Sequence, residues 1–206
     1  ILAPEQLRAW VAVARREGAV LASDECYGEF AWEKEAISVL DPRVNDGDLS
    51  GLLAVHSVSK RSNAAGYRAG FVAGDPAVVQ DLVQARKHLD IIVPGPIQAA
   101  LTAVLADQEH VEEQRRRYLA RRAVLRPALE AAGFRVDDSE GSLYLWVTRG
   151  EPCRDTIAWL ARRGILAAPG DFYGTSGASH VRIALTATDE RIASAAARLG
   201  EQLQGN

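Results

Sequence analysis

Methionine is missing from all 206 positions, the first included, and a helical pattern begins almost at once. The chain is therefore expected to be a piece of a longer polypeptide. Cysteine is nearly missing as well: Cys26 and Cys153 stand far apart, in no metal-like spacing. That argues against a disulfide framework and for a reducing cytoplasm. The histidines, His56, His88, His110 and His180, make no ligand pair at helical or turn spacing, so no metal site is expected. No apolar run reaches the ~18 residues that span a bilayer. The longest, Ile91 to Ala106, is broken by Pro94, Pro96 and Gln98. The opening Ile1-Leu2-Ala3-Pro4 lacks the basic region and cleavage site of a signal peptide. A membrane partner is not expected.

A strong excess of one charge is lacking too. The net charge is −3 with 25% charged residues, which is ordinary for a soluble globular protein. No clustered basic face points to nucleic acid. The one dense basic run, Arg115 to Arg117 with Arg121 and Arg122, lies among Glu112, Glu113 and helix formers, and is expected to be a solvated helix face. Lysine is scarce: of 24 basic residues only Lys34, Lys60 and Lys87 are lysines, and the rest are arginine.

What is present, 48% hydrophobic residues, suffices for a real core. Pro4 suits the first turn of a helix, followed by Leu7, Trp10, Val11 and Ala14 at helical spacing and ended by Gly18. Ala19 to Ala22 and Leu52 to Val55 are expected as buried strands. Ala69 to Ala73 is a third, and its short connection favours an antiparallel return. Helices are expected over Pro76 to Leu89, Gly95 to Ala106 and about Asp107 to Ala132; the last would suit a connector. Beyond Gly133 come strands at Phe134 to Val136 and Leu143 to Val147, then a helix at Thr156 to Arg163. Strands at Gly164 to Ala168 and His180 to Leu185 and a closing helix, Thr188 to Gln202, complete the pattern. The order argues for an α/β layer followed by a compact α+β unit. The division is expected as residues 1–125, a partial large domain with its connecting helix, and 126–206, a small C-terminal domain.

Ligands of open α/β sheets bind beyond the carboxyl ends of the strands. Two polar clusters stand at such ends: Asp24 with Tyr27, and Ser57 with Lys60. An acid, a phenol, a hydroxyl and an amine would suit an aromatic electrophile that carries an anion, and pyridoxal phosphate is such a ligand. In a chain that elsewhere writes arginine, a lysine at the tip of a buried strand is pointed, because arginine cannot form a Schiff base. Plainer roles stand beside these. Asp24 could be a cap, Tyr27 a core aromatic and Ser57 a strand-end hydroxyl. Arg68 and Arg182 could be surface ion-pairing residues, and Lys60 a surface lysine. Cys26 and Cys153 suit structural thiols. Tyr144 and Trp146 could approach a substrate, but core packing is the favoured role.

The run Ser57-Val58-Ser59-Lys60-Arg61-Ser62-Asn63-Ala64-Ala65-Gly66-Tyr67-Arg68-Ala69-Gly70 resembles the lysine signature of the class I and II aminotransferases of fold type I. Ser23-Asp24-Glu25-Cys26-Tyr27 looks like that family's Asp-x-x-Tyr segment, and His180-Val181-Arg182-Ile183-Ala184-Leu185 looks like its arginine strand. The resemblance implies the C-terminal part of the pyridoxal phosphate-dependent transferase fold, a three-layer, mainly parallel sheet, plus a small α+β domain. By the same resemblance Lys60 would carry the cofactor and act as the base. Asp24 would pair with the pyridinium nitrogen, Tyr27 with the ring's phenolic oxygen, and Ser57 and Arg68 with the phosphate. Arg182 would grip the substrate α-carboxylate. Ser23 to Trp32, Arg86-Lys87-His88 with Val93-Pro94, and Glu151 to Gly174 with Leu185 to Arg191 are similar to the N-succinyldiaminopimelate aminotransferases. That likeness implies amino transfer between glutamate and N-succinyl-2-amino-6-oxopimelate, on small amino-acid and 2-oxo-acid substrates, in a homodimer.

About the first half of such a family member has no counterpart here, including the phosphate-binding helix N-terminus and the ring stacked on the cofactor. The isolated chain is therefore expected to bind pyridoxal phosphate weakly or not at all, and to be inactive alone. Two other functions compete on the same residues: a different reaction of the same cofactor, such as β-elimination from a sulfur amino acid, and the cofactor-binding effector domain of a transcription regulator.

Overall fold

The computed structural model describes residues 1–89 and 92–201. It divides into two compact units, Ile1–Glu113 and Gln114–Asn206. No helix among the described residues is long and apolar enough to cross a membrane.

The first unit opens with α1 (Pro4–Glu17), whose Ala3 N–H donates to Gln6 Oε1 at 2.8 Å and which Gly18 ends in a left-handed conformation. Leu7, Val11 and Ala14 form its buried stripe, while Trp10 stands on the flank, 56% exposed. β1 runs Leu21–Asp24, two residues later than the apolar run suggests. Ala19 is taken up in the end of α1, where its N–H donates to Ala14 O at 2.9 Å. A one-turn α2 (Pro42–Asn45) precedes β2 (Leu52–Ser57), and β2 passes directly into a one-turn α3 (Val58–Arg61). After β3 (Gly70–Gly74) come α4 (Pro76–Lys87) and α5 (Gly95–Ala106).

β1 pairs with β2 in parallel, Asp24 opposite Val55, and β3 returns antiparallel to β2, as the short connection implies. On one face Leu7, Val11, Val39, Val44, Leu52 and Ala54 make a core cluster, with Leu21, Ile37 and Leu40 at its margin. Each fully buried aliphatic side chain contributes about 1.5–3 kcal/mol. β3 lies so close to β2 that side chains cannot fit at two positions. A Cβ on Gly70 would sit 2.4 Å from His56 O, and one on Gly74 2.0 Å from Leu52 O.

The unit boundary falls inside α6 (Glu109–Ala131). The second unit then has β4 (Arg135–Asp137), β5 (Tyr144–Thr148), α7 (Cys153–Ala161), β6 (Ala168–Pro169), β7 (Val181–Ala184) and α8 (Asp189–Leu199). The strands are ordered β4-β5-β7-β6, every pair antiparallel. Gln202, expected in the closing helix, lies outside the described residues.

Two expectations change here. The strand over Gly164 to Ala168 shrinks to the pair Ala168–Pro169 at the sheet edge, and Leu166 is 96% exposed. A proline cannot donate to a ladder, so it belongs at an edge. The basic run on α6 is not wholly a solvated face. Arg122 is buried and donates to Ser139 O at 3.2 Å. Arg121 bridges to Asp189 at 2.5 Å and donates to Leu185 O at 3.2 Å.

Replacing Gly74 by alanine combines a backbone φ of +145° with that carbonyl clash. Gly74→Ala is expected to destabilise the chain by ~2–4 kcal/mol in urea unfolding; a loss below ~0.5 kcal/mol would contradict the close approach of β3 to β2.

Candidate active site

Because β1 and β2 run parallel, their carboxyl ends lie at the same edge of the sheet. Asp24 is the last residue of β1 and is exposed. Its Oδ1 accepts from the Cys26 N–H at 3.1 Å, a side-chain-to-backbone turn that suits aspartate. The Glu25 N–H goes to Val55 O at 2.9 Å, which ties this turn to β2. Hydrogen bonds from the Cys26 thiol and backbone, with His56 nearby, hold the Asp24 carboxyl below its ordinary range. At neutral pH Asp24 is an anion facing the strand ends. Burial first, and Asp24 second, push the Cys26 thiol up to about 11, against the opposing charge of Lys60. Cys26 is thus a protonated thiol, in keeping with a structural role.

Ser57 ends β2 and caps α3: its Oγ accepts from the Ser59 N–H at 3.1 Å and lies 3.5 Å from Ala69 O. The turn that follows carries Lys60, half-buried, with its Nζ 5.9 Å from the Tyr27 ring centroid. Lys60 has no ion pair with any acid among the described residues, which leaves its amine available. Arg68 takes a left-handed backbone at φ +52° just before β3, is exposed, and donates to Ala65 O at 3.1 Å. The structure therefore brings Asp24, Tyr27, Ser57 and Lys60 to the ends of adjacent strands. Arg68 sits at the start of the return strand, its guanidinium bonded locally rather than to Ser57.

Arg61 had no role in the sequence reading. Its side chain, only 13% exposed, bonds Glu29 at 3.2 Å, Val104 O at 2.8 Å and Gln108 Oε1 at 2.7 Å. It anchors the turn that holds Lys60. Its only sequence signal is adjacency to that lysine. His56, 3.5 Å from Glu25 and stacked on Phe71 at 4.9 Å, is a second neighbour that spacing does not mark.

In the second unit, β5 and β7 alternate. Leu145, Val147, Val181 and Ile183 are buried, while Tyr144, Trp146 and Arg182 are half-buried on the other face. Tyr144 and Trp146 are therefore not core residues, contrary to the favoured expectation: the two-residue period of a strand turns them away from the core. Arg182, opposite Trp146 in the ladder, has its Cζ 4.1 Å from the Tyr144 ring and 5.1 Å from the Tyr173 ring.

As a donor set, the first unit offers an ionised carboxylate, an available amine, a phenol, a hydroxyl and a guanidinium. These fit the ring nitrogen, aldehyde, phenolic oxygen and phosphate of pyridoxal phosphate. No group of three or more potential metal ligands occurs among the described residues.

The family model described as Aminotransferase class I and II matches residues 1–199. The chain is 59% identical over 199 residues to a probable aminotransferase of Mycobacterium tuberculosis, covering 97% of this chain and 48% of that protein. It is 60% identical over 199 residues to the 4-dedimethylamino-4-oxo-anhydrotetracycline transaminase OxyQ of Streptomyces rimosus, covering 97% of this chain and 55% of that one. The chain thus spans about half the length of these curated relatives. The N-succinyldiaminopimelate aminotransferase of Mycobacterium tuberculosis shares its fold, with a TM-score of 0.84 at 22% identity over 97% of this chain and 54% of that one.

Alkylation of Cys26 by iodoacetamide is expected to rise with pH toward an inflection at about 11. Asp24→Asn should move that inflection down, since it removes a hydrogen bond and a charge that both favour the thiol. An inflection at the ordinary thiol value of 9.0, or no movement in the variant, would contradict the Asp24–Cys26 geometry.

Proposed function

The chain belongs to the class I and II aminotransferases, and from that premise we propose that it carries the lysine-bearing part of a pyridoxal phosphate-dependent amino-transfer site. The observation that carries this reading is the meeting of Asp24, Tyr27, Ser57 and Lys60 at the ends of two parallel strands. When bound, the cofactor supplies an electron sink for the carbon that bears the amine.

The residues divide the remaining work. Lys60 Nζ would hold the cofactor through its aldehyde carbon and, once the substrate amine has displaced it, would be the base for the substrate α-proton. Asp24, whose carboxyl the Cys26 hydrogen bonds lower, would pair with a protonated ring nitrogen and keep it protonated. Tyr27 hydrogen-bonds the neighbouring ring oxygen. Ser57 and Arg68 would bind phosphate, Arg68 through the guanidinium N–H groups that its bond to Ala65 O leaves over. Arg182 grips the α-carboxylate, for which a planar two-pronged donor is suited. Arg61 keeps the Lys60 turn in place through its bonds to Glu29, Val104 and Gln108.

Amino transfer runs between an amino acid and a 2-oxo acid, in an enzyme that acts as a cytoplasmic homodimer. For the substrate, the similar stretches named above and the shared fold with the Mycobacterium tuberculosis enzyme support N-succinyl-LL-2,6-diaminopimelate with 2-oxoglutarate. A second reading, an acceptor whose ketone lies in a fused-ring system, is favoured by the 60% identity to OxyQ.

The test is a coupled assay on the complete enzyme that carries this chain, with L-glutamate as donor and either N-succinyl-2-amino-6-oxopimelate or the fused-ring ketone as acceptor. Lys60→Arg is expected to lower kcat at least about a thousandfold with either acceptor. Undiminished turnover in Lys60→Arg would sink the amino-transfer site, and the acceptor with the higher kcat/KM decides between the substrate readings.

A further inference from the structure

We infer that Tyr144 and Tyr173 are positioning residues that hold the Arg182 guanidinium by its flat faces and leave its N–H edge free for a substrate carboxylate. The inference rests on the carboxylate-binding reading of Arg182 and adds to it what orients the fork.

Arg182 differs from the ion-paired arginines of its unit. Arg121 pairs with Asp189, Arg135 with Asp137 and Arg154 with Asp171. Arg182 has no carboxylate partner among the described residues, and its neighbours are rings: Tyr144 at 4.1 Å and Tyr173 at 5.1 Å. Rings attract a guanidinium without neutralising it. A ring stacked on a guanidinium leaves its five N–H donors pointing outward in its plane, where a carboxylate docks with two bonds. A lysine ammonium offers no such plane.

The rings are themselves held. Trp146, on the same face as Tyr144, meets Tyr173 edge-on at 5.7 Å and stacks on His180 at 5.1 Å with 3° between planes. His180 Nε2 lies 3.0 Å from Asp137 Oδ2, and Nδ1 3.1 Å from Ser179 Oγ. Asp137, the acid this face supplies, is thereby occupied, and its bonds to Arg135 and His180 hold it at about 2. The turn that carries Tyr173, residues Gly170–Tyr173, closes tightly on the following turn. A Cβ on Gly170 would lie 2.1 Å from Gly177 O and 2.9 Å from the Trp146 ring. The missing side chain at Gly170 thus lets the turn that carries Tyr173 close on Gly177 and the Trp146 ring.

The test measures the dissociation constant of maleate, a dicarboxylate with neither amine nor carbonyl, by calorimetry on the complete holoenzyme. Pyridoxal phosphate affinity is measured alongside. Tyr144→Leu and Tyr173→Leu are each expected to weaken maleate binding about three- to tenfold. The ring-keeping Tyr144→Phe and Tyr173→Phe should restore it, and cofactor affinity should not follow the change. Tyr173 is 51% exposed, so its leucine variant keeps the test valid even where Tyr144→Leu fails to fold. If Arg182→Lys weakens maleate but the leucine variants do not, the clamp is overturned and the role of Arg182 stands. If Arg182→Lys binds maleate as the parent does, the carboxylate reading falls and the clamp with it. Equal losses of maleate and cofactor, or no rescue by phenylalanine, also overturn the clamp.

Discussion

The parallel ladder between β1 and β2 is the constraint on which the candidate site depends. Parallel pairing puts both carboxyl ends at one edge, and only then can a residue after β1 and a residue after β2 share a ligand. The Asp24 turn is fixed by the Glu25 N–H to Val55 O bond, an extension of that ladder. The Lys60 turn follows because β2 passes into α3 without an intervening loop, with Ser57 serving both as strand end and cap. The return through β3 then brings Arg68 back to the edge, with glycine at the two positions where a Cβ would meet a β2 carbonyl.

The electrostatics follow the same economy of parts. Cys26 donates to Asp24 and lowers its carboxyl further, while burial first, and Asp24 second, raise the Cys26 thiol. One turn therefore supplies an anion and disarms the thiol beside it. Among the described residues Lys60 is left without an acid, although Glu29 lies near enough to pair with its neighbour Arg61. Arginine, always charged and rich in donors, carries the structural ties here. Lysine is scarce, and one of the three, Lys60, stands just past the end of β2.

Much of this was legible in the sequence because it is local. The short link between β2 and β3 implies the antiparallel return, and the alternation in Leu143 to Val147 separates the two faces of β5. Asp24, Tyr27, Ser57 and Lys60 stand at ends of apolar runs, where a strand must stop. What was not legible is set by contacts distant in sequence. Arg61 finds its partners 32, 43 and 47 residues away, and Arg122 finds Ser139 O 17 residues on. Nothing in the spacing announces such bonds, so Arg61 went unnoticed and the α6 arginines looked like a solvated face. Tyr144 and Trp146 were misjudged for a different reason. Aromatic character favours burial, but the period of the strand overrides it and turns both toward Arg182.

The central claim is that Lys60, alone among three lysines, bonds the cofactor. Borohydride reduction of the complete holoenzyme, followed by digestion and mass spectrometry, tests it most directly. One pyridoxyl group per chain is expected, on the peptide that contains Lys60. A group on Lys34 or Lys87, or none on any peptide of this chain, would contradict it.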